Sequence, residues 1–331
     1  MSENSYWEQV QWTTGFDNET DFLGAHSPTQ VAINTSITCL ALLGNCLVIT
    51  VMLARRRVFS STVNRLILHQ SIIDAVASVV FFLHRVVKDP IPTVSTDNTF
   101  YDKFVCCLLY VDVLLWCMYV ASTYNLILIS LDRFLATCYP LKHRKIISSE
   151  KVKFTLAIPW GVGLAHSLQF VFIFQPHKGF CKSIPMDKTV ELITSATVVI
   201  VEYLLPIAIL TYAYTRMIFT LKKKTVHPTV GREVFFRRAK ENVLKIVVLV
   251  GGAFILCWAP AEFEFVAVTF LDILVSDSVY SAFSTLVACN MLINPIIYCF
   301  MYEHFRAQLK GVLRKGFRNN QVHDAGWPLP P

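Results

Sequence analysis

The sequence predicts an all-α membrane protein, a bundle of seven transmembrane helices followed by a short amphipathic eighth helix. Three observations carry that reading. The 331-residue chain is 54% hydrophobic and only 16% charged, with a mean hydropathy of +0.50, far too apolar for a water-soluble domain of this size. Its apolar residues gather into seven runs, about 29–53, 63–87, 104–134, 153–174, 190–219, 242–271 and 278–300, each long enough to cross a hydrocarbon core of about 30 Å. Basic residues crowd into alternate connections between those runs.

Residues 1–28 are polar and acidic, with Glu3, Glu8, Asp17, Glu19 and Asp21, and end at Pro28, as suits a solvated extracellular tail. Asn18-Glu19-Thr20 is a glycosylation acceptor sequence there. No signal-peptide pattern opens the chain, so the first run, at the head of a membrane domain over 29–300, is expected to direct insertion. Arg55, Arg56 and Arg57 lie in the first connection; Lys142, Arg144, Lys145, Lys151 and Lys153 lie in the third. Lys222, Lys223, Lys224, Arg232, Arg237 and Arg238 fill the fifth, and the 301–331 tail adds Arg306, Lys310, Arg314, Lys315 and Arg318. The other face carries only Arg85, Lys88, Lys103, Lys178, Lys182 and Lys188. The positive-inside rule therefore places the N-terminus outside the plasma membrane and the C-terminus in the cytoplasm. The net charge of +7 is a topology signal rather than a nucleic-acid signal. It favours anionic membrane lipid and an acidic partner on the inner face.

The third run ends abruptly in Asp132 and Arg133, before Pro140. An ionisable pair at the mouth of a spanning helix points to function; the bland alternative is an arginine snorkelling to lipid phosphate. Of ten cysteines, most sit in or beside the runs, where a thiol is a small apolar group. Cys106, Cys107 and Cys181 lie instead at the outer face, where disulfides persist. A bridge from Cys107 or Cys106 to Cys181 would pin the loop before the fifth run onto the third helix. Pro206, Pro260 and Pro295 each delete a backbone hydrogen bond within the last three runs, making kinks or hinges. Three hinges in succession suit an element with two packings.

Several positions then fall in a shared order: Gly44-Asn45 in the first run, Asp74 in the second, Leu131-Asp132-Arg133-Phe134 closing the third, and Trp160 in the fourth. Pro206 with Tyr214, Phe254-x-x-Cys257-Trp258-x-Pro260, and Asn294-Pro295-Ile296-Ile297-Tyr298 mark the last three, with Phe305 in a short amphipathic segment beyond. In that order and spacing the chain resembles the class A, rhodopsin-like G-protein-coupled receptors across roughly residues 29–312. The resemblance implies a receptor that takes an extracellular ligand and activates heterotrimeric G proteins. Asp132, Arg133, Tyr214, Trp258, Pro260, Asn294, Pro295 and Tyr298 would form its switch. It makes Cys107 with Cys181 the expected disulfide, with Cys106 the open alternative. It implies no required cofactor, but a sodium ion as allosteric modulator among Asp74, Ser122, Asn290 and Asn294.

The resemblance also implies that Arg133 pairs with Asp132 at rest. Lys240 stands where some relatives carry a locking acid, Phe134 replaces a tyrosine and Thr123 an isoleucine, so basal activity is expected. Amine receptors of the family carry an aspartate at the position of Leu115; Asp112 lies one turn further out. Helical spacing gathers Arg85, Asp112, Leu115, Tyr119, Glu202, Glu262 and Tyr280 as ligand-pocket candidates, with His84 and Lys88 beside them. Two glutamates opposed by an arginine suit a peptide better than a lipid; the alternative ligand is a small amine or other metabolite, with Glu202 free to pair with His166. Beyond residue 300 there is no Cys, Ser or Thr, so no palmitoyl anchor or phosphorylated tail is expected, and internalisation should be slow. A transporter repeat, a retinal lysine within 278–300, a channel filter, a phosphate loop, zinc-spaced histidines and a nucleophile elbow are all missing from the pattern.

Overall fold

The computed structural model describes residues 28–87, 99–110, 112–146, 149–177, 180–183, 186–225, 232–271 and 273–324; Asn18 and Lys88 lie outside them. The first two spans are α1 (Pro28–Ala54) and α2 (Thr62–Phe82), α2 continuing into a π-helical turn over Leu83–Val87. A short α3 (Phe100–Val105) precedes the third span, α4 (Val113–Cys138). After α5 (Pro140–Ile146), the fourth span is α6 (Ser149–Ile173). A hairpin of β1 (Phe174–His177) and β2 (Phe180–Ser183) follows, Phe174 facing Ser183 and Pro176 facing Cys181. The fifth span is α7 (Lys188–Val199) continued through a π turn into α8 (Leu205–Thr225); α9 (Arg232–Leu271) and α10 (Asp277–Met301) are the sixth and seventh. The eighth helix, α11 (Glu303–Asp324), is 22 residues long, longer than the short segment expected.

All seven expected spans are helices long and apolar enough to cross a membrane. The third is the axle: 72% of its most apolar window is buried, against 28–56% for the others. Elsewhere large apolar side chains such as Leu43, Phe172, Phe263 and Phe300 stay exposed, as lipid-facing positions must. Local chemistry sets the helix starts. Thr99 and Asp102 form a reciprocal capping box at α3. Pro140 opens α5, where its missing N–H is not needed. Asp187 caps α7 by accepting from the Thr189 N–H at 2.9 Å, which holds its carboxyl below the usual range.

The third apolar run is not one helix. Residues Cys106–Tyr110 form a π turn, and Asp112 then adopts a left-handed backbone (φ 57°) before α4 begins. This corrects the expected start at residue 104, and it corrects the disulfide. The bond joins Cys106 to Cys181, with Cα atoms 5.5 Å apart, and Cys107 is a buried free thiol. Neighbours on a helical turn point about 100° apart, so only one of the two can face the hairpin. Burial raises the Cys107 thiol above its ordinary value.

The helix-breaking prolines are answered by side chains. Pro295 leaves the Met291 carbonyl without its helical N–H. Asn45 Nδ2 takes that carbonyl at 2.9 Å, tying α1 to α10 at the kink. Gly44 makes the approach possible, since a Cβ there would lie 2.9 Å from the Pro295 ring. Upstream of Pro206 the fifth span widens into the π turn Ile200–Leu204, and Tyr124 donates to the Val201 carbonyl at 3.1 Å.

Candidate functional site

Of the residues expected to form the switch, Asp132, Arg133, Tyr214 and Tyr298 lie toward the inner end, Asn294 lies at mid-depth beside Asp74, and Trp258 with Pro260 lies higher in the sixth span. Arg133 donates from Nε to Asp132 at 3.0 Å and also through Nη2. A hold not foreseen from sequence comes from α5: His143 Nε2 lies 3.1 Å from the other Asp132 oxygen. Tyr214 hydrogen-bonds Ser130 at 2.9 Å rather than reaching Arg133, and its ring fills the space a Cβ on Gly251 of α9 would need. Tyr298 is buried, while Tyr302 donates to Asn64 at 3.0 Å, closing α10 onto α2. Phe305 is buried against Phe59 and carries the eighth helix on the first connection. The side chains of Lys240 and Glu241 lie outside the described ones.

At mid-depth the Asp74 carboxylate accepts four contacts. Ser122 Oγ donates to Oδ1 at 2.8 Å and Asn294 Nδ2 to Oδ2 at 2.8 Å. Gln70 Nε2, unmentioned by any motif, lies 3.1 and 3.2 Å from the two oxygens. A carboxylate has about four lone-pair sites, so this one is filled. Asn290 is buried but makes no hydrogen bond to Asp74 among the described residues. Asn294 Oδ1 is buried without a partner among the described residues, a position a water satisfies as readily as an ion. With an amide directed at both carboxylate oxygens, these residues fit a sodium ion poorly.

The outer half holds the ligand candidates. Asp112, in its left-handed turn, accepts from Arg85 Nη2 at 2.8 Å and contacts His84. A non-glycine residue in that backbone region costs roughly 1 kcal/mol or more, and the contacts to Arg85 and His84 hold it there. Arg85 also meets Tyr280 across the bundle. Below them, Trp116, Tyr119 and Trp258 make an aromatic stack with centroids 6.0–6.3 Å apart, and Phe254 continues it at 5.8 Å. Leu115 is 2% exposed and belongs to the core, so it offers no anchor.

The expected opposition of two glutamates by an arginine is not what forms. Arg85 is engaged by Asp112, and Glu202 by His166 at 2.6 Å. Glu262 is 6% exposed, close enough to Glu202 to feel its charge, and its Oε2 has no partner among the described residues. The Tyr119 hydroxyl, Trp258 Nε1, Arg85 Nε and Thr123 Oγ1 are likewise buried without one. The Glu202–His166 pairing was the legible alternative; His143, Gln70 and the Asp112 turn carried no short-range signal.

A polar outer cluster, a hinged helix set and a basic-facing ion pair, threaded by seven spans, define a multi-pass membrane receptor rather than an enzyme. The chain belongs to the rhodopsin family of seven-transmembrane receptors, class A of the G-protein-coupled receptors, whose family description, "7 transmembrane receptor (rhodopsin family)", matches residues 44–298. It is 28% identical to galanin receptor 2a of Danio rerio over 296 residues, 85% of this chain and 77% of that one. It is 27% identical to galanin receptor type 2 of Homo sapiens over 285 residues, 83% and 68% of the two chains. It is also 26% identical to the tachykinin-like peptides receptor 99D of Drosophila melanogaster over 333 residues, 93% and 58%.

Proposed function

We infer that the chain is a plasma-membrane receptor for an extracellular peptide, with its N-terminus outside. The peptide signals to a heterotrimeric G protein through Arg133. The observation that carries the ligand class is the buried Glu262 side chain, whose Oε2 has no partner among the described residues and which lies near Glu202 and Tyr203. A buried polar oxygen without a partner costs about 1–3 kcal/mol, so a cationic ligand group that reached it would gain the interaction the described residues leave unmade. Receptors named for galanin and tachykinin-like peptides support a peptide as that ligand. Outward-facing basic scarcity and inward-facing basic connections support the orientation.

An amine is the weaker reading, because the acid that would have to receive it in the fifth span, Glu202, is already hydrogen-bonded to His166. The test is G-protein activation in cells expressing the receptor, challenged with pools of galanin-type and tachykinin-type peptides and with pooled biogenic amines. Activation by a peptide pool is the expected result. Activation by amines alone would replace this ligand class.

A further inference from the structure

We propose that Gln70 is an ion-excluding residue. Its side-chain amide stands on Asp74 in place of a monovalent cation, held there by a one-way hydrogen-bond relay from the fourth span, so sodium does not regulate this receptor. The inference is independent of which ligand the receptor takes.

The direction of the relay is fixed at its first link. An indole N–H can only donate. Trp160 Nε1 donates to His69 Nε2 at 2.8 Å, so that nitrogen must be the acceptor of the ring. The proton of the neutral imidazole is then on Nδ1, which lies 2.8 Å from Asn125 Oδ1. With its oxygen accepting, Asn125 presents its amide nitrogen to the Leu66 carbonyl at 3.0 Å and to Gln70 Oε1 at 2.8 Å. Gln70 therefore has its oxygen toward Asn125 and both its amide hydrogens toward the carboxylate side. They contact the two Asp74 oxygens and the Ser122 hydroxyl. Ser122 in turn passes its own proton to Asp74 Oδ1. Every donor in the chain finds an acceptor, and reversing any amide would set two donors or two acceptors against each other.

A cation at Asp74 needs lone pairs where Gln70 supplies hydrogens. Admitting it requires the Gln70 amide to leave, which orphans Gln70 Oε1 or breaks the Asn125 link, both in the buried centre of the bundle. Fully satisfied buried networks resist such partial opening. The relay also joins α6 to α2, α4 and α10, so the fourth span is tied to the Asn294-Pro295 hinge through Asp74.

The full-length receptor, purified in detergent, is melted in about 150 mM sodium chloride and in choline chloride at equal ionic strength. Wild type is expected to show the same Tm in both salts. Gln70→Leu, which removes the amide and leaves Asp74, Ser122, Asn290 and Asn294 in place, is expected to gain a sodium-dependent rise of about 3 °C or more. Adding Asp74→Asn to that variant should abolish the rise. Should Gln70→Leu fail to fold, Gln70→Met, unbranched and without donors, carries the same expectation. A sodium-dependent rise in wild type equal to that in the Gln70 variant overturns the proposal, as do folded Gln70 variants that remain indifferent to sodium.

Discussion

The middle and the outer half of this bundle are both polar and both buried, yet they treat their polar atoms in opposite ways. Around Asp74, the side chains of Trp160, His69, Asn125, Gln70, Ser122 and Asn294 form one continuous network, with a donor for each carboxylate lone pair. Around Trp258, by contrast, Glu262 Oε2, Tyr119 Oη, Arg85 Nε and Trp258 Nε1 are buried with no partner among the described residues. An unmade buried hydrogen bond costs about 1–3 kcal/mol, more for a charged group. A protein that gives its central carboxylate a donor for each lone pair and leaves the next polar layer open has separated two tasks. On the function proposed above, the closed layer positions helices, and the open layer is where an outside group would bind and bias the hinges.

The comparison can be broken first at its lid. Cys106→Ser is expected to lower stability by about 4 kcal/mol, the loss for a cross-link between residues 75 apart in sequence, and to abolish surface expression. Cys107→Ser should be nearly silent in the same flow-cytometry assay; equal losses would mean that the bridge exchanges between the neighbours. Next, Gly163→Val forces a Cβ to within 2.5 Å of the Cys117 carbonyl, where α6 meets the axle helix. A Tm drop of at least 5 °C is expected, from about 2 kcal/mol or more of overpacking; an unchanged melt would mean that the fourth span is free to shift.

Smaller effects lie at the inner face. His143→Ala removes one of two holds on Asp132 and should raise basal G-protein activation a few-fold without changing the melt. Basal activity equal to wild type would leave the resting pair to Arg133 alone. The expectation of a weak resting lock came from the sixth span; His143 restores part of that restraint from the second inner connection, which the sixth-span pattern could not reveal. The smallest effect concerns Cys107. Burial raises its pKa, so the thiolate fraction falls, and a soluble maleimide at pH 8 should leave it unlabelled until the receptor unfolds. Rapid labelling in the native state would place it on the surface.

The spans were legible because each is a property of consecutive residues: about twenty apolar positions in a row, bounded by charge. The switch motifs were legible because each is a short pattern inside one span. What escaped depends on rotation and on partners far apart in sequence. Adjacent Cys106 and Cys107 are equivalent by composition, and only the π turn and the left-handed Asp112 decide which faces β2. Arg85 lies eleven residues after Asp74 on the second span, but the acid it pairs with, Asp112, stands in the turn before α4, far away in sequence. Gln70 and His69 carry no motif at all. Their roles arise because α2, α4 and α6 meet there, which no single run of sequence records.

The division between the closed and open layers is tested most directly by measuring two quantities, Tm and agonist EC50, in two variants. The agonist is whichever peptide the pools yield. Glu262→Gln should raise EC50 tenfold or more, about 1.4 kcal/mol per decade, with little change in Tm, because the amide matches the acid in size but cannot carry the negative charge a cationic ligand group would meet. Asn45→Ala should do the reverse, lowering Tm through loss of roughly 1–2 kcal/mol of buried hydrogen bonding to Ala41 and Met291 while EC50 moves less than threefold. That crossed pattern is the predicted result. If Glu262→Gln instead lowers Tm and leaves EC50 unchanged, the outer acid is structural, and the separation of tasks is wrong.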